Sequence, residues 1–401
     1  MLAVPEFRAL WFAEAQSVFG DQLAKVALTI LVYDRTGSAL WAAVAYALTF
    51  LSALAGGLGL SQLADRFPRR QLMVTCTVLQ AVVVGVMAIP GMPIAVLCVL
   101  VFAIGLIQSP AAAAQNAVTR EVFTDDELYL RSQDLRGITT NTLMLLGLAG
   151  GGVLVVAIGT SWALAIDAVT FLISAVVVHR YVKNRQVAGS KADGWFDPAR
   201  WVFGNGRMRV LLTLSWLVGL VVIPEGLVAP LAKELGASSA AVGWLLAADP
   251  LGFVVGTYVL SRFVAAEHRI RVMGVLAVCS SATLIAFALT PHVAFAIVLL
   301  ALAGAFGAYQ ITVSATFNTL VPNEIRGGAF GVIRTGLRVS QGIGVAIGGA
   351  VAELLGSTTT TIALAGVLGV AIAIPATVAW ARLNRSVGNA RVVPNVNTLT
   401  S

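Results

Sequence analysis

Three ionisable residues stand inside one apolar stretch of this chain. The segment WFAEAQSVFGDQLAKVALTILVYD (11–34) is long and apolar enough to cross a bilayer, yet it holds Glu14, Asp21 and Lys25. A charge near a bilayer centre costs about 2.5–3.5 kcal/mol even on the mildest scales, so a helix that keeps three of them keeps them for a use. At 3.6 residues per turn, positions 14, 21 and 25 lie within about 40° of one another, on one face with Ser17 and Val18. That face looks into a polar interior and not at lipid. Asp21 falls near mid-span, and Glu14 roughly 10 Å toward one end at 1.5 Å per residue. Carboxyls so placed hold and release protons or pair with cations, and a nearby base decides between the two. Glu14 and Asp21 against Lys25 leave one negative charge to be neutralised by a base from another helix or by a proton. A static Asp21–Lys25 pair, one turn apart, is the structural alternative.

Further charges lie embedded in other apolar stretches: Asp167, Glu225 between Pro224 and Pro230, and Asp249 just before Pro250. Arg334 and Arg338 are four residues apart and share a helix face, with Arg338 near mid-depth. Arg338 therefore needs an acid, and Asp21, Glu225 or Asp249 are the candidates. Gln115, Asn116, Gln310 and Asn318 add neutral polarity to a cavity built from these helices. Prolines 224, 230 and 250 are expected to kink their helices. His179, His268 and His292 are scattered, the three cysteines fall singly inside apolar spans, and no GxxxxGK[ST] loop occurs. No metal, no cofactor and no enzymatic nucleophile–base set is expected.

The elements that must position these residues are membrane helices. The chain is 401 residues long, 58% hydrophobic and only 11% charged, with 39 glycines, a membrane profile. Runs of about 20 apolar residues, each enough to cross roughly 30 Å of hydrocarbon, recur along the whole length. Punctuation places twelve spans near 8–34, 38–60, 71–90, 94–118, 129–158, 161–182, 209–232, 238–262, 270–290, 293–319, 328–354 and 359–382. An even count puts both termini on one side. With that side cytoplasmic, Arg66, Arg69, Arg70, Arg120, Arg131, Arg136, Arg262, Arg269, Arg271, Arg326 and the tail arginines lie inside, and only Arg35 and Lys233 outside. This asymmetry is the positive-inside pattern. The net charge of +7 is thus a sign of topology, and no nucleic-acid partner is expected. In the connecting loop, Asp197–Pro198 reads as a helix start. Trp195, Phe196 and Trp201 beside Arg200 and Arg207 suit a short helix lying in the membrane interface.

The chain also repeats itself. GLAGGGVLVVAIG (147–159) lies over GVAIGGAVAELLG (344–356) at an offset of 197, and DDEL (125–128) lies over PNEI (322–325) at the same offset. A six-plus-six duplication explains both, with parallel halves about a membrane-normal axis and a site between them near the midplane. Gly147, Gly150, Gly151, Gly344, Gly348 and Gly349 are expected to let helices approach closely and slide. The organisation is then an N-terminal six-helix bundle (1–182), a linker with its interfacial helix (183–208), a C-terminal six-helix bundle (209–382) and a tail (383–401).

SQLADRFPRR (61–70) resembles the loop between helices 2 and 3 of the major facilitator superfamily, G-x-L-A-D-R-x-G-R-R/K, at Leu63, Ala64, Asp65, Arg66, Arg69 and Arg70. Ser61 and Pro68 replace its glycines. FGDQLAKVALTILVYDRTGSALW, IDAVTFLISA and VPNEIRGGAFG are similar to the branch that holds macrolide-efflux proteins and the enterobactin exporter. The helix-4 arginine of many drug–proton antiporters has no counterpart in FAIGLIQSPAAAA. The helix-5 motif G-P-x-x-G-G lacks its proline, and Gly328 stands where the branch often has an arginine.

The resemblance implies an all-α membrane protein of two pseudo-symmetric six-helix bundles. It implies a secondary transporter exporting amphipathic organic compounds against protons, by rocking about a central cavity. A carrier of a siderophore, lysophospholipid or other metabolite is the alternative. Proton and substrate chemistry would fall to Asp21, Glu14, Lys25, Glu225, Asp249, Arg338, Arg334 and Asp167. Asp65, Arg66, Arg69, Arg70 and Arg326 would form a cytoplasmic gate, with Asp65 accepting N–H bonds at the start of helix 11. Its partners would be a small-molecule substrate, protons and the lipid bilayer, and it would act as a monomer in a bacterial plasma membrane.

Overall fold

The computed structural model of the chain describes residues 2–60, 63, 66–123, 125–184, 196–290, 292–322 and 325–390. The N-terminal half is six long helices: α1 (Pro5–Thr36), α2 (Ala39–Gly59), α3 (Arg69–Met87), α4 (Ile94–Val122), α5 (Asp126–Ile158) and α6 (Thr160–Tyr181). A short helix, α7 (Phe196–Gly204), leads into the second half, where the sequence places an interfacial helix. There α8 (Gly206–Trp216), α9 (Val218–Val221), α10 (Ile223–Gly226) and α11 (Val228–Glu234) together occupy the seventh span. They are followed by α12 (Ala240–Phe263), α13 (Ala266–Ile285), α14 (Val293–Gly307), α15 (Tyr309–Leu320), α16 (Arg326–Leu355) and α17 (Thr358–Ala390), with α14 and α15 forming one span. Among the described residues ten segments are long and apolar enough to cross a membrane. The two that complete the twelve are α1 and α16, whose embedded charges lower their mean hydropathy.

The seventh span breaks where the sequence foresaw a bend, but more completely. It is interrupted at Leu217, Val222 and Leu227, with Pro224 in the first turn of α10. A broken helix in lipid frees carbonyls that must find donors. Here Tyr309 Oη donates to the Leu214 carbonyl (2.9 Å), and Gln310 Nε2 donates to Leu214 (3.1 Å) and Ser215 (3.3 Å). In the eighth span α12 runs as one helix through Pro250.

We call the end holding the arginine-rich loops the basic end and the other the far end. At the far end one apolar core runs through both halves, from Leu23–Val32 and Ala39–Phe50 to Val222–Ala232 and Val242–Ala248. Toward the basic end the core divides. One part lies within the N-terminal half (Leu10, Met73, Val118, Val178) and a separate one within the C-terminal half (Met208, Leu214, Phe317, Trp380). The halves are fused at the far end and parted at the basic end.

The seam between them is built on glycine. An added Cβ on Gly152 of α5 would collide with the Ala240 carbonyl of α12, and one on Gly349 of α16 with Cβ of Ala43 in α2. These contacts are images of each other, since shifting 152 and 43 by 197 gives 349 and 240. Inside each half the same shift holds. Gly147 packs on Gln22 and Gly344 on Gly219, while Gly151 packs on Val26 and Gly348 on Ile223. The duplication is therefore kept residue for residue along the first, second and fifth helices of each half. Gly150 stands apart, with nothing within 4 Å of an added Cβ. Gly152, its neighbour but one, makes the contact between halves.

Candidate functional site

A cavity of about 420 Å³ lies where the halves diverge, lined by Asp21, Lys25, Tyr46, Phe50, Gln108 and Asp167 from the N-terminal half and Arg338 from the other. Of the α1 face inferred from the helical period, Asp21 and Lys25 line it. Asp21 and Gln108 also line a second, smaller cavity of about 170 Å³ inside the N-terminal half, shared with Glu14, Ser17, Gln80 and Gln115. Asp21 thus stands between the central space and a polar chamber reaching back to Glu14. Gln80 Nε2 is buried there with no hydrogen-bond partner among the described residues.

Glu14 is neutralised, and not by Arg338. Arg136 of α5 grips it with two bonds, Nε to Oε2 at 2.6 Å and Nη2 to Oε1 at 2.8 Å. Arg136 Nη1 donates further to Asn116 Oδ1 (3.1 Å) and Gln133 Oε1 (2.9 Å). This is a planar guanidinium with four of its five N–H groups bonded, the geometry that makes an ion pair tolerable inside a protein. The sequence showed Arg136 as one more arginine at a span end; its helix carries it inward.

Lys25 and Arg338 rest on aromatic faces. Lys25 Nζ lies 4.6 Å from the Tyr46 ring centre, Arg338 lies 5.7 Å from that of Phe50, and the two rings meet edge-on at 5.6 Å. Among the described residues neither base has a carboxylate within 4.0 Å. Tyr46 Oη donates to Glu225 of α10, a bond joining α2 of one half to the broken span of the other. Tyr46 and Phe50 were missed by the sequence reading, which counted charges and passed over aromatics in an Ala-rich span. Cation–π contacts of this kind hold a base without consuming its charge.

The other embedded residues divide among these spaces. Asp167 is buried, with the Thr170 hydroxyl 3.2 Å from Oδ1, and packs against Gly20, one residue from Asp21. Asp249 and Gln310 line a separate cavity in the C-terminal half. Arg334 is exposed, one turn toward the basic end from Arg338. Asn318 is half-buried and lines none of the cavities described here.

Of the expected gate, Asp65 and the side chain of Arg326 lie outside the described residues. Arg69 is buried and pairs with Glu121 of α4 in its own half, Arg70 Nη1 donates to the Val182 carbonyl (3.4 Å), and Arg66 is exposed. The far end carries a polar seal that the sequence reading missed. Glu353 of α16 accepts from Ser38 Oγ (3.0 Å) and the Leu40 N–H (3.4 Å) at the start of α2, and Lys233 Nζ lies 5.5 Å from the Tyr33 ring centre. Glu234 accepts from Thr359 Oγ1 (2.7 Å) and from the N–H groups of Thr358 and Thr359 at the start of α17. Burial raises the pKa of Glu234, but these hydrogen bonds outweigh it and leave the carboxyl below its ordinary value.

Two six-helix halves around a charged cavity at mid-membrane, sealed at one end, are the architecture of a membrane transporter fold. The model of the major facilitator superfamily matches residues 10–224 and 211–395, and the chain belongs to that superfamily. No curated protein matches the sequence. Among solved structures it is similar to a bacterial homologue of the human lysosomal transporter Spinster in an inward-facing and occupied conformation. That likeness has 13% identity over 94% of this chain and 96% of the other, at TM-score 0.74. The peptide transporter POT in complex with sulfate is similar at 14% identity, 95% of each chain and TM-score 0.74. The nucleoside transporter NupG is similar at 15% identity, 93% of this chain and 99% of the other, and TM-score 0.72.

Proposed function

We propose that the protein is a proton-coupled secondary transporter that exports amphipathic organic compounds by rocking its halves about the central cavity. The observation that carries this reading is the cavity itself, which holds Asp21, Asp167, Lys25 and Arg338 at mid-depth between halves. Charges are costly there and mark transport pathways. In this reading the basic end is cytoplasmic by the positive-inside pattern, so the cavity opens inward. Asp21 exchanges a proton between the central space and the chamber leading to Glu14, and the Asp65 loop closes the basic end when the halves rock back. The setting is a bacterial plasma membrane, with the protein acting as a monomer.

Everted vesicles given a panel of amphipathic dyes in the medium, with and without an uncoupler, test the reading. Uptake against a concentration gradient that collapses with the uncoupler is expected, and uptake indifferent to the uncoupler would remove proton coupling. A carrier of an acidic metabolite is the second reading. It is favoured by Lys25 and Arg338, two bases that face the central cavity without a carboxylate within 4.0 Å among the described residues.

A further inference from the structure

The C-terminal half holds a cavity of about 410 Å³ that the central site does not account for, lined by Val221, Asp249, Phe253, Gly304, Gln310 and Ser314 among others. Its polar side chains are those of Asp249, Gln310 and Ser314. Gln310 uses its Nε2 on the carbonyls of Leu214 and Ser215, which leaves its own carbonyl oxygen to the cavity. Asp249 makes no hydrogen bond and no ion pair within 4.0 Å among the described residues. It is part-exposed to the cavity space although it sits mid-way along α12. Its position is fixed by the close crossing of α12 and α14, where a Cβ on Gly304 would run into the Asp249 carbonyl. Among the described residues no base lines this space, and Lys25 and Arg338 line the central cavity.

A carboxylate at mid-membrane without a partner is costly, and a cation entering beside it removes that cost. The space is far larger than a bare metal ion and within the range of small-molecule sites. Phe253 offers an aromatic face of the kind that attracts organic cations. We propose that this pocket binds the positively charged group of an organic cation with an apolar body, with Asp249 as the counter-charge and Phe253 as the aromatic wall. The proposal rests on the transport reading for its purpose and narrows its substrate class.

Tetraphenylphosphonium and tetraphenylborate have one shape and opposite charges, so they separate electrostatic recognition from apolar fit. Binding of each to the full chain in lipid nanodiscs, corrected for empty discs, is measured for wild type, Asp249→Asn, Asp249→Glu and Phe253→Leu. Wild type is expected to bind the phosphonium at least tenfold tighter than the borate. Asp249→Asn is expected to lose about tenfold for the phosphonium alone, with Asp249→Glu recovering part. Equal affinities in wild type, or a loss shared by both ions, would overturn the site. If Asp249→Asn does not fold, Phe253→Leu decides, since it must weaken the phosphonium and leave the borate unchanged. A chain that binds the phosphonium this way but moves nothing uphill would refute the transport reading and leave the site. Uphill transport without selective binding would do the reverse.

Discussion

Replacing Arg136 by methionine should be among the most damaging single changes in the N-terminal half. The substitution keeps an apolar stem of similar length and removes a guanidinium that makes two bonds to Glu14 and one each to Asn116 and Gln133. The Arg136 side chain is 10% exposed and that of Glu14 22%, so the stranded carboxylate gains little from water. Breaking a buried pair from one side costs about 3–5 kcal/mol. Glu14→Gln should cost less, about 1.5–3 kcal/mol for hydrogen bonds to a charged group, because the guanidinium keeps Asn116 and Gln133. The double change Glu14→Gln with Arg136→Met removes both charges and should recover most of the loss. At roughly 2 °C per kcal/mol for a large chain, the single arginine variant should melt about 6–10 °C below wild type. Cys76 and Cys98 are buried and Cys279 half-buried, so a thiol-reactive dye reports unfolding directly. If Arg136→Met melts within a degree of wild type, or the double variant is no better than the single, the ion pair does not hold α5 to α1.

Asp21→Asn should abolish uphill transport in proteoliposomes while leaving substrate binding. Proton movement that survives in Asp21→Asn with Lys25→Met would remove Asp21 from the coupling. Gly349→Val adds atoms where Cβ of Ala43 already sits, so it should push the far end open. Labelling of a single cysteine introduced at the far-end seam, in a chain whose three native cysteines are replaced, should rise, and unchanged labelling would contradict the seam. Glu234 has its carboxyl held below the ordinary value, so its contribution is full above the unfolded carboxylate range and lost as pH falls through the lowered value. Wild type should therefore lose more melting temperature on acidification than Glu234→Gln, and parallel curves would refute the cap.

Where the sequence was informative, the signal was periodic or repeated. The face shared by Glu14, Asp21 and Lys25 followed from the helical period alone, and the structure sets Asp21 and Lys25 on the central cavity with Glu14 in the chamber beside it. The 197-residue offset between 147–159 and 344–356 survives as matched contacts of Gly147 with Gln22 and Gly344 with Gly219. Partner identity was not legible. Charge counting offered Arg338 to the acids, whereas Arg136 takes Glu14 and Arg338 lies on Phe50. Pairing depends on which helices adjoin and how far each side chain reaches, and a single sequence holds no distances. Proline positions marked the seventh span for a bend without showing how far it breaks. Pro250 lies inside a continuous α12, while the seventh span is interrupted at Leu217, Val222 and Leu227, and Tyr309 and Gln310 serve carbonyls freed on the α8 side of the break at Leu217.

The paired contacts of Gly152 with Ala240 and Gly349 with Ala43 have the form of an isologous interface, in which one surface patch meets its own copy twice about a two-fold axis. A six-helix chain dimerising with itself would make this contact without any further invention, and fusion of two copies would preserve it. Fusion then frees each copy to diverge wherever the seam does not constrain it. Asp21 and Lys25 have Val218 and Val222 at the equivalent positions, and Arg136 has Ile333. A self-paired ancestor would have carried two of every charge at its axis, doubling the cost of each. The single chain keeps Asp21 and Lys25 in the first helix of one half only, and sets Glu225 in a broken helix of the other, where the first half has Leu28.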